Sequence, residues 1–313
     1  MIGVAYGSAM IDTCMISEND CLNPMGDHPV CSRQPIRFSM IVYFTRHAQS
    51  GWNAKKATYS NDIAWGSQNA QWKLGFDSAT YQSLKNAKLT PEGIEQVKGL
   101  ARAINRDCTG GSELTGSLAP TYNCKDFSIL KGEYPDQTVV ATSNLDRAIN
   151  TAQIAYKTLL DKIPLNIISF FQEISSEIDA KTDSVGCEIV PEVVLSDQSR
   201  KYDLTGSIGD LNSMQKYGKL AEERFQWFCE WAFSQPPSVR YIAIAGHSSW
   251  LQEFWKTRNL GTSDLEQGLL KKKLSNSAIL KFVLYWDTSK NTCIITLGQT
   301  ALVYGTLAEK DKK

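Results

Sequence analysis

Short runs of apolar residues recur along the chain, separated by segments in which apolar residues return every three or four positions. Runs of this kind are typical of strands that are covered on both faces, as in parallel sheets. Two further apolar runs flank a polar turn at Asp287–Asn291 and predict a closing hairpin. The four predicted parallel strands are Ile41–Phe44, Thr138–Thr142, Leu165–Phe171 and Tyr241–Ala245.

The segments between these runs predict amphipathic helices. One helix should begin at Thr90, because Thr caps a first turn and Pro91 is tolerated at its first position. A second should begin at Ser143, which with Asp146 three residues later resembles a capping box. A third, from about Met214 to Phe233, carries an aromatic stripe that we interpret as core.

Alternating strands and helices predict one α/β domain with three layers, α/β/α, and a mostly parallel central sheet. We expect this domain over residues 39–305. It should follow an irregular N-terminal extension, 1–38, and precede a charged tail, 306–313. Two polar segments, about 55–88 and 107–137, look inserted, and long loops of this kind often form lids or binding elements.

The first inserted segment contains four aromatic residues, which are Trp65, Trp72, Phe76 and Tyr81. Such side chains can stack on a nucleotide or a sugar, or they can close a hydrophobic patch over the loop itself. The sequence favours packing and leaves stacking open. Either way, the two inserted segments are the parts of the chain expected to set ligand choice.

Charge and hydropathy narrow the class of protein. The 313 residues carry 33 basic and 33 acidic side chains, so the basic excess of a non-specific nucleic-acid binder is missing. No apolar run reaches the roughly 18 residues that a membrane-spanning helix needs. The N-terminus lacks the positive charge of a secretory signal. We therefore predict a cytoplasmic protein with neither a nucleic-acid nor a membrane partner.

The eight cysteines give no recognisable pattern. None forms a C-x-x-C pair, and their spacing matches no zinc module, so we expect scattered reduced thiols. The alternative is a set of disulfides among Cys14, Cys21, Cys31, Cys108 and Cys124.

Two of the three histidines, His47 and His247, each follow a predicted strand. Side chains at the carboxyl ends of parallel strands converge on one crevice, so these imidazoles should meet. Arg46 precedes the first histidine, and Arg147 lies in the first turn of the helix after the second strand. Because guanidinium groups match phosphate oxygens in bidentate geometry, this set predicts a site for a phosphoryl group.

Four blocks of sequence resemble those of the histidine phosphatase superfamily, the phosphoglycerate mutase-like group, and they occur in its order. They are "TRHAQSGWN", "LTPEGIEQVKGLA", "VVATSNLDRAINTAQIA" and "IAIAGHSSWLQEF". The resemblance implies a nucleophilic His47 that forms a phosphohistidine. It also implies that Arg46, Arg147 and His247 hold the phosphoryl oxygens, with Asn53 as a further donor.

The sequence departs from the family pattern beside both histidines. Ala48 replaces a glycine, and Gln49 stands where Glu is common. Ser248 and Ser249 follow the second histidine, where glycine or asparagine is frequent, and their hydroxyls could donate to phosphate. These changes leave the charged set intact.

The resemblance places the proton donor in the loop after the third strand. "FFQEIS" favours Glu173, "SSEIDAK" favours Glu177 as the alternative, and Asp179 is a third carboxylate nearby. A carboxyl group within reach of the bridging oxygen is the usual general acid. Zinc binding through both histidines lacks a third ligand at recognisable spacing, so we predict neither a metal nor a cofactor.

We predict a phosphomonoesterase acting on a small phosphorylated substrate or on a phosphoprotein. The resemblance leaves phosphoglycerate mutase-type transfer as an alternative, although the E-R-H-Y-G segment of those mutases is missing. A second alternative is an inactive module that binds phosphorylated ligands. No oligomeric state is predicted.

Overall fold

The computed structural model describes residues 39–58, 83–106, 124–175, 178–180, 217–258, 263–295 and 299–308. The described helices are α1 (Gly51–Thr58), α2 (Pro91–Ile104), α3 (Cys124–Lys131), α4 (Asp146–Ala155), α5 (Lys157–Leu160), α6 (Tyr217–Phe233), α7 (Ser248–Arg258) and α8 (Asp264–Lys271). The described strands are β1 (Ser39–Arg46), β2 (Thr138–Thr142), β3 (Leu165–Ile167), β4 (Tyr241–Gly246), β5 (Lys273–Leu274), β6 (Ile279–Asp287), β7 (Thr292–Ile295), β8 (Ala301–Tyr304) and β9 (Leu307–Ala308). The predicted N-terminal extension lies outside the described residues.

The main sheet has the strand order β3-β2-β4-β1-β6-β7, with β8 also paired to β6. Strands β1 to β4 pair in parallel. Strand β6 runs antiparallel to β1, β7 and β8, and β6 and β7 form the predicted hairpin. The expected mostly parallel central sheet is therefore confirmed.

Alternate residues of the central strands enter two separate cores, because successive side chains of a strand point to opposite faces. On one face, Val42, Phe44 and Ile242 pack in a cluster that includes residues of α6 and α7. On the other face, Tyr43 and Ala243 pack in a cluster that includes residues of α2, α3 and α4. Helices on both faces give the three predicted layers and explain why the strands are apolar throughout.

The start of α2 packs against the loop that follows β1. Thr90 Oγ1 accepts a hydrogen bond from the Gly93 amide at 3.0 Å, as the predicted cap requires. The same hydroxyl donates to Gln49 Oε1 at 2.7 Å. A Cβ at Gly93 would lie 2.1 Å from the Gln49 carbonyl oxygen. Helix α2 can therefore approach this loop only with glycine at position 93.

The predicted capping box at the start of α4 is wrong. The capping residue is Leu145, without a side-chain hydrogen bond, and Ser143 lies further back. Ser143 Oγ accepts from the Leu145 amide at 3.1 Å and bonds to His247. The Asp146 amide donates to Asn86 Oδ1 at 2.9 Å, and Asn86 Nδ2 donates to Asp146 Oδ1 at 3.1 Å. The first turn of α4 is thus held by Asn86, which lies 60 residues earlier in the chain.

The end of the second inserted segment belongs to the core rather than to a loop. Helix α3 lies within the segment predicted as 107–137, and its side chains Phe127, Ile129 and Leu130 are buried. Residues 107–123 and 59–82 lie outside the described residues, and the four aromatics of the first inserted segment are among them.

Two residues of the segment predicted as a charged tail form a strand. Strand β9, Leu307–Ala308, pairs antiparallel with β5 in a separate two-stranded sheet. The first three residues of the predicted tail carry no charged side chain, and the charges of this segment all lie in residues 309–313.

A disulfide joins Cys229 of α6 to Cys293 of β7. Both residues are fully buried, because α6 packs across this end of the sheet. Cys124 is disulfide-bonded as well. The expectation of reduced thiols throughout is therefore wrong for these three cysteines. The other alternative partners, Cys14, Cys21, Cys31 and Cys108, lie outside the described residues.

None of the described helices is long and apolar enough to cross a membrane.

Candidate active site

His47 and His247 meet at the carboxyl ends of two neighbouring strands. Arg46 of β1 pairs with Gly246 of β4, and the His47 amide donates to the Gly246 carbonyl at 2.9 Å. The two imidazole rings follow directly, and their centroids are 5.1 Å apart. Both side chains are buried. The structure thus brings together two histidines that are separated by 200 positions.

The backbone assigns the tautomer of His47. Its Nδ1 lies 2.7 Å from the Ala48 carbonyl oxygen, which can only accept a hydrogen bond. Nδ1 therefore carries the proton, and Nε2 keeps a lone pair. Burial lowers the pKa of His47 well below its ordinary value, and the nearby Arg147, His247 and Arg46 lower it further. His47 is thus a neutral imidazole with one nitrogen free to act as a nucleophile.

His247 is held by a serine at the end of β2. Ser143 Oγ lies 2.7 Å from its Nε2. The other ring nitrogen, Nδ1, is buried, has no hydrogen-bond partner among the described residues, and lies 3.6 Å from Glu173 Oε2. Burial lowers the pKa of His247 to about 3, although Glu173 opposes this shift. Sequence reasoning missed Ser143, yet its place directly after a strand is the same signal that marked both histidines.

Arg147 is fully buried and held by two carboxylates. Its Nη2 lies 2.6 Å from Glu173 Oε2 and 3.2 Å from Asp179 Oδ2. Its Nη1 donates to the Asp179 carbonyl at 2.8 Å. Its Nε is buried without a hydrogen-bond partner among the described residues. Asp179 is therefore a counterion of Arg147, a role that sequence reasoning did not assign.

Glu173 contacts Arg147 and lies near His247, and it also accepts a hydrogen bond from the start of α7. Ser249 Oγ donates to its Oε1 at 3.0 Å. Burial by itself raises the pKa of Glu173, but Arg147 and both histidines overcome this effect and hold the pKa well below its usual range. Glu173 is consequently ionised when no ligand is present. The alternative acid, Glu177, lies outside the described residues.

Arg46 and Asn53 are tied to their local surroundings. Arg46 Nη1 donates to the Leu274 carbonyl of β5 at 2.6 Å. Asn53 Oδ1 accepts from both the amide and the hydroxyl of Ser50 at 3.2 Å, at the start of α1. Asn276, which sequence reasoning missed, donates its Nδ2 to the His47 carbonyl at 3.0 Å. These contacts fix the backbone around His47.

Several buried donors lack a hydrogen-bond partner in the part of the chain that the structure describes, and three of them belong to predicted site residues. They are Arg147 Nε, His247 Nδ1 and Ser248 Oγ. Buried donors are normally satisfied, and the oxygens of an anionic ligand would be suitable acceptors for these three. Ser248 and Ser249, both predicted from sequence, are in the first turn of α7.

A metal is a weaker fit for this site. Ligand atoms of His47, Glu173 and His247 lie within 4.8 Å of one another. However, Arg147 Nη2 already bonds the same carboxylate, and its positive charge repels a cation. The arrangement is better suited to bind an anion and to direct an imidazole lone pair at it.

The solved structures that this chain resembles include a phosphoglycerate mutase and two phosphatases. One is the phosphoglycerate mutase from Bacillus anthracis str. Sterne, at 14% identity and a TM-score of 0.43, covering 83% of this chain and 92% of that one. A mycobacterial glucosyl-3-phosphoglycerate phosphatase gives 11% identity and a TM-score of 0.41, covering 87% and 100%. The ecdysone phosphate phosphatase from Bombix mori, in complex with tungstate, gives 12% identity and a TM-score of 0.42, covering 87% and 97%.

No family model matches the sequence, and no curated protein matches it significantly. Inferences about the chemistry of this chain therefore rest on its own fold and on the arrangement of its side chains.

Proposed function

We propose that this protein is a phosphomonoesterase that hydrolyses its substrate through a phosphohistidine at His47. The observation that carries the proposal is the 5.1 Å separation of the His47 and His247 rings beside the buried Arg147. This arrangement combines a neutral nucleophile with fixed positive charge, which phosphoryl transfer requires.

In the first step, the Nε2 lone pair of His47 attacks phosphorus as the bond to the ester oxygen breaks. The Nδ1 proton stays on the ring, because it is bonded to the Ala48 carbonyl. Arg46, Arg147 and His247 stabilise the charge on the phosphoryl oxygens, and Ser248 is an additional donor. From the resemblance, Asn53 is also predicted to donate to the phosphoryl oxygens. Its Oδ1 accepts a hydrogen bond from the Ser50 amide.

Glu173 protonates the leaving oxygen and must gain a proton to do so. A phosphate dianion next to Glu173 adds negative charge and competes for Arg147, and both effects raise the pKa of the carboxyl group. A substrate that arrives as the monoanion brings the proton with it. In the second step, the ionised Glu173 accepts a proton from the water that attacks the phosphohistidine. Glu177 is the alternative acid.

The substrate is proposed only as a class: a small phosphate ester or a phosphoprotein. The similar structures are by name a mutase of phosphoglycerate and phosphatases of glucosyl-3-phosphoglycerate and ecdysone phosphate, so their substrates differ widely. Because the E-R-H-Y-G segment is missing, we expect release of inorganic phosphate to be faster than transfer between positions of phosphoglycerate.

The cellular location stays a prediction. The sequence favours the cytoplasm, whereas the disulfide between Cys229 and Cys293 is typical of proteins from oxidising compartments.

The direct test compares the wild type with His47→Ala on an aryl phosphate, with and without a chelator. We expect the variant to lose nearly all activity and the chelator to have no effect. His28→Ala is the matched control, because His28 lies in the predicted N-terminal extension and has no predicted role, and it should be fully active. A radiolabelled phosphate ester should leave an acid-labile, alkali-stable label on the wild type. Equal rates for wild type and His47→Ala would mean a binding module instead.

A further inference from the structure

Arg224 is a buried arginine in the middle of α6. It is 2% exposed and belongs to the same helix as the buried core residues Ala221, Phe225 and Phe228. Burying a guanidinium group is unfavourable unless its donors make hydrogen bonds. The donors of Arg224 bond to two backbone carbonyls near the candidate site.

The guanidinium group of Arg224 holds the backbone that leads to Glu173. Its Nε donates to the Phe170 carbonyl at 3.1 Å, and its Nη2 donates to the Gln172 carbonyl. Trp250 of α7 donates to the same Phe170 carbonyl at 2.7 Å. The two carbonyls lie three residues and one residue before Glu173, after the last residue of β3.

The same segment is connected to the counterion of Arg147. Gln172 donates its Nε2 to the Ala180 carbonyl at 2.7 Å and accepts from Asn144 at 3.2 Å. Ala180 follows Asp179, which bonds Arg147. By fixing the backbone at Gln172, Arg224 supports the positions of both carboxylates that hold Arg147.

We propose that Arg224 is a positioning residue for Glu173: it fixes the carboxyl group where it can protonate the leaving oxygen. This inference rests on the proposed function. No regular strand or helix holds residues 172–175, so the hydrogen bonds to this segment set the direction of the Glu173 side chain. A displacement of about 1 Å can lower a rate by about 100-fold.

Charge gives independent support. Arg224 is one of the groups that lower the pKa of His247, so its positive charge acts on the site. A neutral side chain could satisfy the Phe170 and Gln172 carbonyls without this effect. A buried cation next to the site also favours the binding of a phosphate anion.

The test uses two substrates that differ in their need for a general acid. An alkyl phosphate such as glycerol phosphate has a poor leaving group and needs protonation, whereas 2,4-dinitrophenyl phosphate does not. Glu173→Gln defines the effect of losing the acid. We expect Arg224→Lys and Arg224→Gln to lower kcat/KM on the alkyl phosphate by about 10-fold or more, with kcat/KM on the aryl phosphate changed by less than about threefold. The constant kcat/KM is compared because it reports the first step, whereas the second step needs Glu173 for both substrates.

Both rates are measured on one preparation, so a partly misfolded fraction cancels in their ratio. Arg258→Gln is the matched control: Arg258 is buried in α7 and pairs with the side chain of Glu222 instead of the backbone before Glu173, and the ratio should stay at the wild-type value. An unchanged ratio in both Arg224 variants, with a changed ratio in Glu173→Gln, would overturn the positioning role. If Glu173→Gln also leaves the ratio unchanged, Glu173 is not the proton donor, and the role of Arg224 falls with it.

Discussion

The hydroxyl oxygen of Ser143 lies 2.7 Å from Nε2 of His247, and both residues are fully buried. Ser143 Oγ also accepts from the Leu145 amide. If the hydroxyl hydrogen is donated to Nε2, the proton of the neutral imidazole resides on Nδ1, the nitrogen near Glu173. Nδ1 then carries a hydrogen that it can donate, and a phosphoryl oxygen is its proposed acceptor.

Ser143→Ala should therefore lower kcat/KM on an aryl phosphate by about 10-fold, because a buried hydrogen bond of about 1 to 1.5 kcal/mol is lost and the tautomer is no longer fixed. Ser143→Thr keeps the hydroxyl and should retain most activity. Steady-state kinetics measures both, and ¹⁵N chemical shifts of the imidazole report the tautomer. Full activity in Ser143→Ala would show that the hydroxyl of Ser143 has no role in activity.

The lowered pKa of His247 makes stability depend on pH. The unfolded chain binds a proton at this histidine below a pKa of about 6.5, but the folded chain does so only near about 3. Between these values the unfolded state binds about one more proton, so the free energy of unfolding falls as the pH falls, by about 1.4 kcal/mol per pH unit.

His247→Asn should remove this contribution. Urea unfolding between pH 6 and pH 4 should show a steeper loss of stability in the wild type than in His247→Asn. His47 and Glu173, whose pKa values are also lowered, should destabilise both proteins as the pH falls. Parallel stability curves would show that His247 titrates normally in the folded protein.

Gly93 is required by the contact between α2 and the loop after His47. In Gly93→Ala the new Cβ would lie 2.1 Å from the Gln49 carbonyl oxygen, so the helix or the loop must move. We expect the free energy of unfolding to fall by about 2 kcal/mol or more, together with activity.

The matched control for this change is Gly99→Ala in the same helix. Its nearest atoms would be 3.8 Å away, so the substitution should be neutral or should stabilise the protein by up to about 1 kcal/mol. Thermal unfolding and aryl phosphate turnover distinguish the two variants. Equal stability of both would mean that α2 and the loop separate at little cost.

The disulfide between Cys229 and Cys293 closes a separation of 64 residues. Restricting the unfolded chain by a loop of this length should contribute about 4 kcal/mol. The double variant Cys229→Ala/Cys293→Ala should lose about this much in urea unfolding, and the wild type should lose more when it is reduced, because reduction also breaks the disulfide of Cys124. Mass spectrometry after alkylation without reductant should find neither thiol modified. Alkylation of both cysteines would contradict the bond.

The sequence predicted the layers and the meeting of the histidines because both follow from local patterns. Continuous apolar runs indicate strands with two covered faces, and His47 and His247 directly follow such runs. Glu173 could be selected from the resemblance because its neighbours match a motif.

The supporting residues could not be found in this way. Arg224 lies in an aromatic-rich helix, where a single arginine is ordinarily expected on the surface. Its burial depends on how the loop after β3 folds under α6. Asp179 and Asn276 act through partners far away in sequence, Arg147 and His47, and neither has a motif. The Cys229–Cys293 pair likewise depends on the packing of α6 against β7.

Strand β9 connects the far end of the described chain to Arg46 through β5. Leu307 and Ala308 pair with β5, and the Leu274 carbonyl of β5 receives Arg46 Nη1. Trimming the chain before Leu307, or fusing a bulky tag immediately behind Ala308, would loosen the strand on which this arginine rests. Affinity handles for purification therefore belong elsewhere on the protein, and we expect C-terminal proteolysis to displace the Arg46 side chain before it unfolds the main sheet.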